Sequence, residues 1–343
     1  MKVRFICSGC SSPLNSGFWI VKLMKKLVSV VILTYNGKEF FDIIMPTLYS
    51  QTYDNIEIVV VDNNSTDGSA EYVKQNYPNV ILIENKENRG YCGGNNDGIN
   101  VAKGEYIVII NDDNECDPNW LNEAIKVMES DPKVGVVGVK VLRRDDRISF
   151  DTAGVNLDKD CSVLIRGFGE KDHGQYDEAC DVFSGAGNGV IFRRKMLDDI
   201  GLFDEDFWAH YDETDLCFRA RLRGWKVMYA PKAVIYHIKY RKTGFGSLGY
   251  IFYGERNRIW TMVKSAPLRI ILKSPYYTIK RLLKEARTNT VDKYNAVPRV
   301  KIFFTIVKAW GSAIIGMPKM IRKRAEIQKT KQINTKQILE FFQ

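Results

Sequence analysis

Residues 28–36 read VSVVILTYN and residues 106–113 read YIVIINDD: two short, β-branched apolar runs, each ending abruptly in polar side chains. A run without polar alternation is the pattern of a strand covered on both faces, as in a parallel sheet between helices. Outward from these, the pattern recurs at 56–61 (IEIVVV), closed by Asp62-Asn63-Asn64-Ser65, and at 80–83 (VILI), followed by 88–95 (NRGYCGGN). Residues 39–50, 69–76 and a stretch ending near Ala102 have helical composition, with capping side chains in Ser65-Thr66-Asp67 before the second. Strand and helix alternate with short connections, which predicts an α/β fold with a mostly parallel central sheet and helices on both faces.

All four strands end in polar clusters, and in open α/β sheets ligands bind outside the carboxyl ends of the strands. Turns alone call for Asn, Asp and Gly, so one such cluster says little. Four at one edge predict a site. Asn111-Asp112-Asp113 offers hard oxygen ligands suited to Mg²⁺ or Mn²⁺, ions that complete their shells with water and phosphate oxygens, although an Asp-rich solvated turn has the same composition. Asp62 is placed to accept hydrogen bonds from a base or ribose. An acid after the second strand also fits a dinucleotide oxidoreductase, but 34–37 (TYNG) lacks G-x-G-x-x-G, and Gly90, Gly93 and Gly94 are wrongly spaced for it. No Walker-type phosphate loop occurs.

Composition bounds the remaining classes. With 45% hydrophobic and 27% charged residues, the 343-residue chain is not intrinsically disordered. Its net charge of +9 is unevenly distributed: residues 1–253 carry 30 Lys and Arg against 36 Asp and Glu, and residues 254–343 carry 20 against 5. An acidic body is followed by a basic tail. Seven irregularly spaced cysteines do not make a disulfide framework. Cys7 and Cys10 have redox or zinc spacing, but no second pair or nearby His completes a site. Residues 1–24 contain only short apolar pieces and read as a dispensable extension, not a signal peptide. No run of 18 apolar residues occurs, and the nearest candidate, 302–317, is interrupted by Lys308, Gly311 and Gly316.

Seven blocks, in order, carry a resemblance: 28–36 (VSVVILTYN), 59–69 (VVVDNNSTDGS), 87–99 (ENRGYCGGNNDGI), 109–121 (IINDDNECDPNWL), 183–194 (FSGAGNGVIFRR), 200–225 (IGLFDEDFWAHYDETDLCFRARLRGW) and 230–237 (APKAVIYH). Together they resemble family 2 glycosyltransferases of the rhamnosyltransferase-like subgroup. The resemblance implies the GT-A nucleotide-diphospho-sugar transferase fold, Rossmann-like, over 25–240, with a basic helical C-terminal region over 241–343. It implies an inverting transfer from a nucleotide-diphosphate sugar, of dTDP-rhamnose or UDP-hexose type with UDP-galactofuranose open, to a glycan or lipid-linked glycan in cell-surface polysaccharide synthesis. The rival expectation is a non-catalytic nucleotide-sugar or glycan-binding scaffold on the same fold, against which the retained acids argue.

By the same resemblance Thr34, Tyr35, Asn36, Asp62 and Asn64 surround the donor nucleotide, and Asn88 and Arg89 approach it or its phosphates. The family's D-x-D metal motif falls on Asn111-Asp112-Asp113. Asn in first place leaves Asp113 as the metal ligand, with Asp112 as a helper on the donor side. Asp212-Glu213 matches the acidic pair before a helix. An inverting transfer needs a carboxylate to take the acceptor proton, so Glu213 occupies the base position and Asp212 orients acceptor or metal. Acids also simply favour a helix start. His237 matches a metal-binding imidazole, with a structural histidine as the alternative. The small residues 184–189 allow backbone to approach a sugar or make a plain turn. Trp208 is open between sugar stacking and core, and Trp225 is expected in the core.

In the tail, Arg256-Asn257-Arg258 resembles a motif that follows the catalytic region. Residues 268–286 and 300–327 have amphipathic spacing suited to helices in a membrane interface, and the lipid-linked acceptors that the resemblance implies favour an anionic membrane at its cytoplasmic face. A packed helical subdomain with a solvated basic face is the plainer alternative. Nucleic acid is excluded as a partner by the acidic body and the absence of a binding module.

Overall fold

A computed structural model of the chain describes residues 25–185, 187–238, 247–287 and 297–342. The N-terminal extension with its Cys7–Cys10 pair, Ala186 and the expected 240/241 boundary lie outside the described residues. In chain order the body comprises β1 (Val28–Thr34), α1 (Phe41–Tyr49), β2 (Ile56–Asp62), α2 (Ser69–Asn76), β3 (Ile81–Glu84), α3 (Gly90–Val101), β4 (Tyr106–Asn111) and β5 (Asn114–Cys116). It continues through α4 (Trp120–Glu129), β6 (Val134–Arg143), β7 (Phe150–Thr152), β8 (Val155–Leu157), β9 (Val163–Ile165), β10 (Cys180–Asp181), β11 (Val190–Arg193), α5 (Arg194–Ile200), α6 (Asp212–Leu222) and β12 (Lys226–His237). The tail forms α7 (Leu248–Ser265), α8 (Leu268–Arg287), α9 (Arg299–Thr330) and α10 (Thr335–Leu339).

The four apolar runs pair in parallel as expected, in the order β4-β1-β2-β3. Beyond β4 the sheet continues β11-β6-β12-β10, with β11 antiparallel to both neighbours and β6 parallel to β12. Period-two alternation divides the strand side chains between two cores. Val28, Val30 and Ile32 face Phe41 and Ile44 of α1 and Trp120 of α4, whereas Val31, Val59 and Val61 face Ile99 of α3.

One local expectation changes. The glycine-rich cluster after β3 is not a turn but the first two turns of α3. A Cβ on Gly94 would stand 2.4 Å from Leu33 Cδ1, and one on Gly98 2.3 Å from Val31 Cγ1. These glycines let the helix lie directly on β1.

The tail is built onto the body rather than appended to it. Asn257, Arg258 and Lys264 of α7 are fully buried. Helix α9 lies along α7, with Trp260 Nε1 donating to Ala313 O at 3.1 Å and the Gly316 backbone against the same indole. By length and composition α9 is long and apolar enough to cross a membrane, despite the interruptions that argued against a span from sequence. Lys319 and Lys323 of α9 pair with Asp206, and Lys323 also with Asp204. Part of the tail's positive charge therefore meets the body's acids.

Candidate active site

Strand register builds the site. Thr34 is level with Asp62, and Leu33 with Asn111, so the polar ends of β1, β2 and β4 share one edge. Thr34 Oγ1 donates to Asp112 Oδ2 at 2.6 Å, with both residues buried. Asp62 accepts from Ser65 N through Oδ2 at 3.0 Å, while its buried Oδ1 has no hydrogen-bond partner among the described residues. That oxygen is an acceptor awaiting a donor. Asn36 and Asn64 take left-handed conformations, which Asn tolerates better than most residues, and Asn36 Oδ1 accepts from Thr66 N at 2.8 Å. Tyr35 is 46% exposed beside them.

Asn88 and Arg89 are held from within. Asn63 Nδ2 donates to Asn88 Oδ1 at 3.0 Å, and Asn63 Oδ1 accepts from Arg89 N at the same distance. The Arg89 guanidinium pairs with Asp97 and, at 2.9 Å, with Glu205. Its charge is already balanced by protein acids. Asn63, which sequence reasoning left as a turn residue, is the tie between two clusters.

The antiparallel pairing of β5 with β12 sets His237 opposite Asn114, immediately beside Asp113. His237 Nε2 lies 3.6 Å from Asp113 Oδ2, and Nδ1 lies 2.7 Å from Asp151 Oδ2. Burial alone would lower the imidazole, but hydrogen bonds and charge from Asp113 and Asp151 outweigh it and raise its pKa to about 9. Such a ring holds a positive charge between two carboxylates, a role that a divalent cation could also fill. Asp151 orients the ring as outer carboxylates commonly orient metal-binding histidines. Among the described residues no group of three or more His, Cys, Asp or Glu side chains forms a metal cage. Asp113 and His237 thus make a partial donor set, suited to an ion that takes its other ligands from phosphate and water.

The acidic pair begins α6, and both Asp212 and Glu213 are buried. Burial first, and then the adjacent Glu213 carboxylate, push Asp212 well above the usual carboxylate range. Glu213 Oε1 accepts from Tyr91 OH at 2.7 Å, and the same hydroxyl lies 3.0 Å from Gly187 O. Burial foremost, with the Glu213 and Asp212 charges, pushes the Tyr91 phenol far up, so it stays a neutral donor. The segment feeding α6 is strained: Trp208, His210 and Tyr211 all have positive φ, each costing on the order of 1–3 kcal/mol. Asn257 of α7 offsets this by donating to Phe207 O, Ala209 O and His210 O at 2.8–2.9 Å.

Trp208 packs on Gly90, where a Cβ would meet its ring at 2.6 Å, and remains 39% exposed. Trp225, expected in the core, is half-buried because its indole N–H reaches Asp199 at 2.9 Å. In the small-residue stretch, Gly187 lies against Glu213: a Cβ there would stand 3.5 Å from Oε1. Tyr91 and Asp151 were missed from sequence. A cavity of about 560 Å³ lies elsewhere, under α9, and its Lys264 and Lys323 are already paired with Asp204.

Polar turns along a sheet edge, with a separate acidic pair at a helix start, are the arrangement that the resemblance to GT-A glycosyltransferases implies. The fold is shared by the mannosyltransferase PcManGT from Pyrobaculum calidifontis, solved with GDP-Man and Mn²⁺: TM-score 0.51, 18% identity, 93% of this chain and 79% of that one covered. The chain belongs to glycosyl transferase family 2, whose sequence profile matches residues 29–201. It is 24% identical over 287 residues to the N-acetylglucosaminyl-diphospho-decaprenol L-rhamnosyltransferase of Mycobacterium tuberculosis, covering 73% of this chain and 90% of the relative. It is 30% identical over 232 residues to the amylovoran biosynthesis glycosyltransferase AmsB of Erwinia amylovora, covering 64% and 71%.

Proposed function

We propose that this glycosyltransferase inverts the anomeric centre of a dTDP-rhamnose- or UDP-hexose-type donor and builds a cell-surface glycan on a lipid-linked acceptor. Its place of work is an anionic membrane surface on the cytoplasmic side. The observation that carries the catalytic assignment is the setting of the acidic pair: Glu213 is buried and accepts a hydrogen bond from Tyr91 OH at 2.7 Å, beside an Asp212 that burial and the Glu213 charge push above the usual carboxylate range.

Glu213 takes the acceptor hydroxyl proton as that oxygen bonds to the anomeric carbon. On the opposite face the carbon–oxygen bond to the diphosphate breaks, and its electron pair leaves with the phosphate oxygen. Asp212 orients the acceptor, and Asp62 Oδ1 takes a hydrogen bond from the donor base or ribose. Asp113 and His237 would hold Mg²⁺ or Mn²⁺, which supplies charge stabilisation to the departing diphosphate. The mycobacterial relative's name supports a lipid-linked acceptor and a rhamnosyl donor, and the amylovoran relative's name supports a polysaccharide product.

Glu213→Gln is the test. It preserves shape and removes the base, so kcat for transfer should fall by about 10²–10⁴, with donor affinity by calorimetry within about threefold. A variant that loses donor binding as well removes Glu213 from the base role. Asp113→Asn should abolish the Mn²⁺ dependence of donor binding; an unchanged metal response refutes that ligand.

A further inference from the structure

Helix α8 is built inside out. An ordinary surface helix turns apolar residues inward and polar ones to water. Here the inward residues include Ser274, Thr278 and Arg281, with Thr278 Oγ1 at 3.2 Å and Arg281 Nε at 2.9 Å from Asp160 Oδ2, and Arg281 Nη2 at 2.7 Å from Glu255 Oε1. Facing outward are Leu268, Leu272, Tyr276, Ile279 and Leu283, all between 52% and 72% exposed. Steps of three and four make them one continuous ridge along the helix. Four of the five are followed directly by an exposed cation: Arg269, Lys273, Lys280 and Lys284. One flank of the ridge is therefore lined with positive charge.

We propose that α8 seats the enzyme in the interfacial region of an anionic bilayer, with the ridge among the upper acyl chains and the flanking cations among the headgroups. Long basic side chains suit that depth, since their stems bury while their charges stay with water and phosphate. Helix α9 adds a second surface of the same kind: Val300, Phe303, Phe304, Val307, Ile314 and Ile315 are exposed, with Lys301 and Lys308 among them. Charge decides the occupant. A second copy docking by two-fold symmetry would lay one row of cations against the same row, whereas acidic headgroups complement it.

The inward face of α8 ties this seat to the chemistry. Asp160, gripped by Arg281, precedes Cys161, whose carbonyl accepts from Tyr211 OH at 3.2 Å. Tyr211 is the residue immediately before Asp212-Glu213. The helix on the lipid thus braces the start of the catalytic helix, where a lipid-linked acceptor would be met. That purpose rests on the function proposed above, but the lipid binding does not require transfer to occur.

The test is sedimentation of the full chain with phosphatidylglycerol–phosphatidylcholine vesicles and with pure phosphatidylcholine vesicles, alongside size exclusion without lipid. Binding should need the anionic lipid. Lys273→Glu with Lys280→Glu should weaken partitioning by well over tenfold, because each basic residue near such a surface contributes about fivefold. Leu272→Gln with Ile279→Gln should weaken it by about tenfold or more. Transfer to a short-chain, water-soluble acceptor should be unchanged in both variants. Failure of the wild type to bind, equal binding by the variants, or conversion of a dimer to a monomer by the Leu272/Ile279 pair would each overturn the lipid seat. Lipid binding as described, with no transfer from any nucleotide sugar, would refute the enzymatic reading and leave the seat intact.

Discussion

Helices α7 and α8 are consecutive, basic and rich in apolar residues, yet they use these properties in opposite ways. Helix α7 spends its polar residues inside the protein. Lys264 reaches Asp204 Oδ2 at 2.6 Å and Asp215 Oδ1 at 2.8 Å, and Asn257 ties down the carbonyls that lead into α6. Helix α8 also turns polar groups inward but leaves its apolar ridge outside. The excess positive charge of the tail therefore has two destinations. Part neutralises acids of the body at the back of α6, and part lines a surface ridge. A sum over the chain records the total and hides the division.

The sharpest way to break this comparison is at Lys264. Its ammonium is almost wholly buried between two acids, and burial favours the pair only while both signs are present. Asp204, which burial would push up, is instead held well below the usual carboxylate range by Lys264 and Lys323. Lys264→Met should cost about 3–5 kcal/mol in urea unfolding and carry α6, with its acids, out of position. A loss under about 1 kcal/mol would mean that α7 is an accessory to the body, as the division at residue 240 expected from sequence has it.

What can be read from the sequence and what cannot divide on physical grounds. Strands β1, β2 and β4 are legible because each is an almost wholly apolar run, broken only by Ser29 in β1 and Glu57 in β2 before its polar end, and those ends mark the edge of the candidate site. Long-range pairing is not legible. Asp113 meets His237 only because β5 runs antiparallel to β12, and Asp151 reaches the ring from β7, a strand of three residues. Tyr91 was hidden inside a glycine cluster whose glycines serve close helix–strand packing rather than a turn. Asn257 offered the one usable signal: an amide within an otherwise amphipathic helix, next to two arginines. A buried amide needs partners, and three loop carbonyls provide them.

A middle-sized effect should come from the inward face of α8, through pH. Burial alone would raise Asp160, but Arg258 and Arg281 outweigh it and lower its pKa from an ordinary 3.8 to about 2. A carboxylate depressed in the folded state stabilises the fold at pH above its unfolded value and loses that contribution as pH falls through its folded one. The contribution is about 2 kcal/mol, fully present above about pH 4 and lost by about pH 2. Asp160→Asn should therefore lower stability at neutral pH by a similar amount and flatten the acid limb of stability against pH. If wild type and variant decline in parallel between about pH 4 and 2, Asp160 is not what holds α8 to the body.

The smallest effect is the one that separates the two helices most cleanly. Truncating a well-packed leucine or isoleucine costs about 2–5 kcal/mol, whereas replacing a solvent-facing one usually changes stability by less than about 0.5 kcal/mol. Leu272 and Ile279 are 72% and 57% exposed, and Gln is a good helix former. Leu272→Gln and Ile279→Gln should accordingly leave urea unfolding within about 0.5 kcal/mol of wild type while removing much of the vesicle binding. Such a pairing is hard to imitate: a side chain that matters to the fold cannot be silent in unfolding, and one that only meets water cannot alter partition into lipid. A cost above about 1 kcal/mol for either substitution would show that the ridge is packed against protein. The contrast between α7 and α8, and the lipid seat built on it, would then both fail.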